Sequence, residues 1–128
     1  MSDTPHGAIG WVDLTVPDAP AIRDFYAAVA GWQTAPVDMG GYDDFNMISP
    51  ATGNPVAGVC HARGQNAAVP PQWLIYITVE ELAASAKLAL ELGAALVSGA
   101  PEAGPEGGYC VLRDPAGAVF ALYQAPAS

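Results

Sequence analysis

"VLRDPAGAVFALYQ", Val111 to Gln124, is the stretch whose reading decides the fold. It reads as a strand, a turn at Asp114-Pro115 and a second strand. Proline presets φ for a turn and cannot donate to a ladder, so it belongs between the two apolar runs. A worn copy stands in the first half, "MISPATGNPVAGVC", Met47 to Cys60, with Pro50 in the place of Pro115. A hairpin written twice predicts a duplicated unit, and the residues upstream of each copy extend the match.

In the first half, "GAIGWVDLTVP" (Gly7–Pro17) alternates. Val12, Leu14 and Val16 form one parity and Trp11, Asp13 and Thr15 the other, the period of a strand with two different faces. Pro17 stops it and Asp18 is a helix N-cap. Ile22, Phe25, Tyr26 and Val29 follow at helical spacing, and Gly31 ends the helix. Three short β-type stretches complete this half, around Trp32–Val37, Tyr42–Ile48 and Pro55–Ala62.

The polar, Pro-bearing "RGQNAAVPPQ" (Arg63–Gln72) reads as a linker, and then the order restarts. "WLIYITV" is a strand, "EELAASAKLALELG" a helix ending at Gly93, "AALVS" a short strand and "APEAGPEGG" a loop, and "YCVLRDPAGAVFALYQ" closes the chain as the final hairpin. Placing Val16 on Val79, a shift of 63, sets Asp18 beside Glu81 and brings both helices into register. The expected architecture is α+β: a first βαβββ module at 1–63 and a second at 64–128, together one structural domain. Half of this length alone would be marginal, because a small unit buries too little surface.

Of the 128 residues 52% are hydrophobic and 13% charged, enough apolar material for a core. Thirteen acids against four bases leave a net charge of −9, shared by both halves. Nucleic acid is therefore an unfit partner, since phosphate neutralisation needs clustered Lys and Arg. No apolar run reaches the about 18 residues of a membrane span, and "MSDTPHGAIG" has neither part of a secretion signal. A cytoplasmic protein without membrane association is expected, its two cysteines, Cys60 and Cys110, being thiols.

"DLTVPDAPAIRDFYAAVAGW" early and "LRDPAGAVFALYQ" late, in this order and around a double βαβββ pattern, resemble the vicinal oxygen chelate superfamily, the glyoxalase I, bleomycin-resistance and extradiol-dioxygenase group. The resemblance covers nearly the whole chain and is greatest to small glyoxalase-like proteins. It implies an eight-stranded U-shaped cup, a homodimer, and a ligand or metal inside. The family's metal ligands come from the first and last strand of each half. Carried over, those positions are Trp11 and Leu74, and Gly58 and Ala121, none with a side-chain donor for a divalent ion. A metal-independent cup without cofactor is the expectation. Were the alignment to slip, the nearby donors are Asp13, Cys60 and His61.

With Trp11 facing the cup, the period of two turns Asp13, Thr15, Leu74, Tyr76, Thr78, Ala121, Tyr123 and Cys60 the same way. The candidate ligand-binding set is Trp11, Asp13, Cys60, Leu74, Tyr76, Ala121 and Tyr123, an aromatic lining with few polar points. Asp13 is either a base or cation partner, or a carboxylate satisfied locally. Tyr76 and Tyr123 either donate to a carbonyl or pack. His61 has the opposite parity and reads as a satisfied residue, and His6 as part of a loose tail. Two functions stay open. One is a binding protein that sequesters a small organic ligand, cationic or aromatic, such as a natural product or drug. The other is a metal-independent isomerase, cyclase or lyase with Asp13 and Tyr76 as catalytic residues.

Overall fold

The computed structural model describes residues 5–127. Its elements follow the duplicated order: β1 (Ile9–Val16), α1 (Ala19–Ala30), β2 (Gln33–Asp38), β3 (Asp43–Ile48) and β4 (Pro55–His61), then β5 (Trp73–Thr78), α2 (Leu82–Glu91), β6 (Ala95–Gly99), β7 (Gly108–Arg113) and β8 (Val119–Gln124). A single 3-10 turn, Gly64–Asn66, interrupts the linker. The fold class is α+β, with eight strands in parallel and antiparallel ladders.

Within each module the ladder has the same order. The first runs β2-β3-β4-β1 and the second β6-β7-β8-β5. The last strand of each module lies parallel to its first, Asp13 beside Gly58 and Tyr76 beside Ala121, and the remaining pairs are antiparallel. The parallel pairs join strands separated by a helical crossover, as parallel pairing requires.

The two hairpin turns show how close the copies are. In the second, the Asp114 carboxylate accepts from the N–H groups of Ala116 and Ala118 at 2.8 and 2.9 Å, and Gly117 takes φ +93°. In the first, Ser49 and Asn54 close the turn through backbone bonds, and Gly53 takes φ +75° after one more residue. Glycine holds these positions because a side chain strains there.

Contacts divide the described chain into a continuous unit, Val12–Trp73, and a discontinuous one made of the residues up to Trp11 and from Leu74 onward. The N-terminal segment belongs with β5: Gly7 N–H donates to the Thr78 carbonyl, and Thr78 N–H to that of Ala8.

In the continuous unit α1 covers one sheet face. Leu14, Val16, Ala19, Phe45, Met47, Ala57 and Val59 form its core, with Ile22, Tyr26, Trp32 and Trp73 packed against it. Asp18 caps α1 by accepting from Ala21 N–H, and Gly31 closes it in the left-handed region. The helical stripe read from the sequence is only half used. Ile22 and Tyr26 pack inward, whereas Phe25 and Val29 are 53% and 67% exposed. In the discontinuous unit α2 covers a core of Leu82, Ala86, Cys110, Leu112 and Leu122. Here the copies differ: Glu81, the counterpart of Asp18, makes no side-chain cap, and the Gln124 Oε1 accepts from Leu82 N–H at 2.7 Å instead. Neither helix is long and apolar enough to cross a membrane.

Candidate functional site

Each helix claims one parity of its strands, which leaves the other parity on the opposite face. In the discontinuous unit that face carries two rows set by the register. Tyr76, Ala121 and Val111 stand side by side in one, and Thr78, Tyr123 and Tyr109 in the other. Tyr76 and Tyr109 lie with ring centroids 5.9 Å apart and tilted by 49°. Tyr76, Ala121 and Thr78 are buried, while Tyr109 and Tyr123 are half-buried. Ala121 and Val111 are 0% and 1% exposed, so the accessible aromatic surface of this face is that of Tyr109 and Tyr123. Tyr109 was missing from the sequence-derived set, although its pairing with Tyr123 follows once the final hairpin is placed. Leu74 shares this parity and is fully buried. Trp11 sits half-buried on β1, ahead of the stretch that pairs with β4.

In the continuous unit the face away from α1 carries Asp13, Thr15, Gly58 and Cys60, paired across β1 and β4. Asp44 on β3 joins them, because Phe45 beside it points into the core and strand neighbours alternate. Burial holds the Cys60 thiol well above its usual range, and the charges of Asp13 and Asp44 and a hydrogen bond to Asp44 add to the effect. Ionisation of Cys60 is therefore disfavoured, which works against a nucleophilic role.

Asp44 gathers donors at this edge. Its Oδ1 accepts from the His61 backbone N–H at 2.9 Å and lies 3.1 Å from His61 Nδ1. The His61 ring stands edge-on to Tyr42 and tilted against Phe45. Arg63 stacks on Tyr42 at 3.9 Å and Arg23 on Phe45 at 4.5 Å. Asp44 was not a sequence candidate, because nothing local in "YDDFNMI" distinguishes it from Asp43.

The donor set answers the question of a metal. The family positions Trp11, Gly58, Leu74 and Ala121 have no donor side chains. Of the alternates, His61 turns Nδ1 onto Asp44. Among the described residues no three His, Cys, Asp or Glu side chains are grouped to hold a metal ion. The residues present do not fit a metal held in the family's manner.

Comparison with known proteins agrees with the double βαβββ order. The profile of a glyoxalase-like domain matches residues 11–123. The chain is 35% identical over 118 residues to the anthracycline biosynthesis protein DnrV of Streptomyces peucetius, covering 92% of this chain and 42% of that one. It is 32% identical over 129 residues to CFP32 of Mycobacterium bovis, named as a candidate glyoxylase, covering 97% and 48%. The chain thus spans about half the length of these curated relatives. Among solved structures, the hypothetical protein BH1468 of Bacillus halodurans superposes with a TM-score of 0.60 at 11% identity, covering 97% of this chain and 98% of that one. A variant of methylmalonyl-CoA epimerase from Streptomyces coelicolor, in complex with 2-nitronate-propionyl-CoA, gives 0.54 at 17%, covering 96% and 100%.

Proposed function

Because the chain belongs to the glyoxalase-like domain family, we propose that it is a small-molecule-binding protein that holds a planar aromatic ligand against the tyrosine rows of its second module. The observation that carries this reading is the placing of Tyr76, Tyr109 and Tyr123 beside the small Ala121 on the sheet face opposite α2. Aromatic rings stack on flat π-systems, and tyrosine hydroxyls add hydrogen bonds at the edge. The relative named for anthracycline biosynthesis supports a ligand of fused aromatic rings. The net charge of −9 favours one that carries an amine.

The test is a titration of the protein with an anthracycline, followed by quenching of the ligand's fluorescence. Saturable binding in the micromolar range is expected, weakened roughly tenfold, about 1.4 kcal/mol, in Tyr109→Ala and Tyr123→Ala. No saturation by about 1 mM, or unchanged affinity in both variants, refutes the proposal.

A second reading, proton transfer by Asp13 without a metal, draws on one observation: the Asp13 charge lies close enough to Cys60 to raise its thiol. An Asp13→Asn variant that binds normally but loses turnover of a bound substrate favours the enzyme. Normal binding with no turnover by either form favours the binder.

A further inference from the structure

We propose that the open cavity at the C-terminal ends of β5 and β8 is a subsite for a primary ammonium group, with the Glu80 carboxylate and the Thr78 hydroxyl as its acceptors. This rests on the reading of the tyrosine rows as a ligand surface, and adds where the amine of such a ligand is held.

The cavity measures about 320 Å³ and lies wholly within the discontinuous unit. Because β5 and β8 run parallel, both strands end here, Thr78 beside Tyr123. Thr78 belongs both to the cavity wall and to the row that carries Tyr123 and Tyr109. The cavity therefore continues the tyrosine surface past its edge. Its volume is at the small end of the about 300–1,000 Å³ of ligand sites, which suits a head group attached to rings held elsewhere.

The wall is rich in acceptors and short of donors. The Thr78 N–H is taken by the Ala8 carbonyl, the Val79 N–H by that of Tyr123 and the Ala127 N–H by that of Pro105, and Pro126 has no N–H. Thr78 is 5% exposed, and its Oγ1 is buried with no hydrogen-bond partner among the described residues. A buried hydroxyl without a partner is destabilising, and valine would fill the same space without that cost, so packing alone does not account for threonine here. Glu80 lines the cavity two residues further on, at the solvent edge. Its carboxylate already draws a basic nitrogen, His6 Nδ1 at 3.5 Å.

These groups select the occupant. An anion would be repelled by the carboxylate and find few N–H groups to bond. An ammonium group has three donors and no acceptor, the complement of this wall. It meets Glu80 first, taking the place of His6, and reaches the deeper Thr78 hydroxyl as the side chains over it part.

The test compares an anthracycline that carries a primary amine with its N-acetyl derivative, which keeps the rings and loses the charge. Binding is followed by quenching of the ligand's fluorescence. The wild-type chain is expected to bind the amine roughly tenfold more tightly than the acetylated form. Thr78→Val and Glu80→Gln each reduce that ratio to about threefold or less, by weakening the amine and leaving the acetylated form unchanged. Thr78→Ser keeps the hydroxyl and the preference. Thr78→Val melts no lower than the wild type, because it removes an unpaired hydroxyl. Equal binding of the two ligands by the wild type overturns the subsite and leaves the tyrosine surface standing, whereas no saturable binding of either overturns both. A preference for the amine that survives in both variants puts the cation elsewhere and overturns the assignment. A lower melting temperature in Thr78→Val overturns the role of the hydroxyl.

Discussion

Replacing Gln124 with alanine tests a contact that joins residues 42 positions apart. The α2 N-terminus begins at Leu82, whose side chain is fully buried and whose N–H donates to Gln124 Oε1 at 2.7 Å. Glu81 occupies the cap with φ −132° and ψ 110° and makes no side-chain bond. Gln124→Ala therefore leaves a part-buried donor without an acceptor. Removal of a helix cap costs about 0.5–2 kcal/mol, and an unpaired buried donor about 1–3 kcal/mol. Partial burial puts this case at about 1.5 kcal/mol, a fall of roughly 6 °C in melting temperature for a chain of this size. Asp18→Ala is the internal control. Asp18 is exposed and its bond to Ala21 N–H is 3.3 Å long, so water replaces it at a cost of about 0.5 kcal/mol. Thermal and urea unfolding followed by circular dichroism measure both. Glu81→Ser in the Gln124→Ala background supplies a short local acceptor and should recover half of the loss or more. The reasoning fails if Asp18→Ala costs as much as Gln124→Ala, or if the serine recovers nothing.

Cys60 makes a prediction in pH. Its thiol is raised in the folded state above the ordinary value of 9.0, and burial raises Cys110 in the same direction. The stability that these protonated thiols contribute is complete below about pH 9 and is lost as the pH rises beyond it. Urea unfolding between pH 8 and 10.5 should show this decline, flattened in Cys60→Ser. Asp13→Asn removes a charge that opposes ionisation, so alkylation of Cys60 at pH 8.5 should quicken; an unchanged rate means the two groups are not coupled. Tyr26→Phe deletes the acceptor of the Trp73 Nε1–H bond, 3.1 Å long, and should cost about 1 kcal/mol with a shift in tryptophan emission. Gly107→Ala should destabilise by about 2 kcal/mol or more, because φ is +86° and a Cβ would collide with the Gln124 carbonyl oxygen. Gly117→Ala, at φ +93° but in open space, should cost only about 1 kcal/mol. Equal losses at the two glycines contradict the steric account.

The duplicated hairpin, the α1 cap and the order of the strands were legible because each rests on local chemistry: a proline between apolar runs, a carboxylate before a helix, a period of two. The parity of Asp13, Tyr76, Ala121 and Tyr123 was legible for the same reason. What escaped depends on partners distant in sequence. Gln124 is an unremarkable strand end until its side chain meets Leu82. Asp44 is one of two adjacent aspartates until β4 brings His61 and Cys60 to it. Tyr109 opens the final hairpin in the sequence, but only the register that sets it beside Tyr123 puts it on the same face as Tyr76. The α1 stripe was over-read, because spacing alone does not say how wide a strip the sheet covers. Phe25 and Val29 lie at its outer edge.

The hydrogen bonds between Gly7, Ala8 and Thr78 carry a consequence for how the chain is made. A ribosome delivers Gly7 first and its partner about 70 residues later. At roughly 5–20 residues per second this is an interval of about 4–14 seconds. Val12–Trp73 draws on its own residues for its own ladder and is synthesised whole within that interval. The N-terminal segment meanwhile waits with its backbone donors on water. Synthesis order and structural order therefore diverge here: Gly7 and Ala8 are made about 70 residues before the strand whose backbone they bond, and a pause in translation just before Thr78 would lengthen that interval.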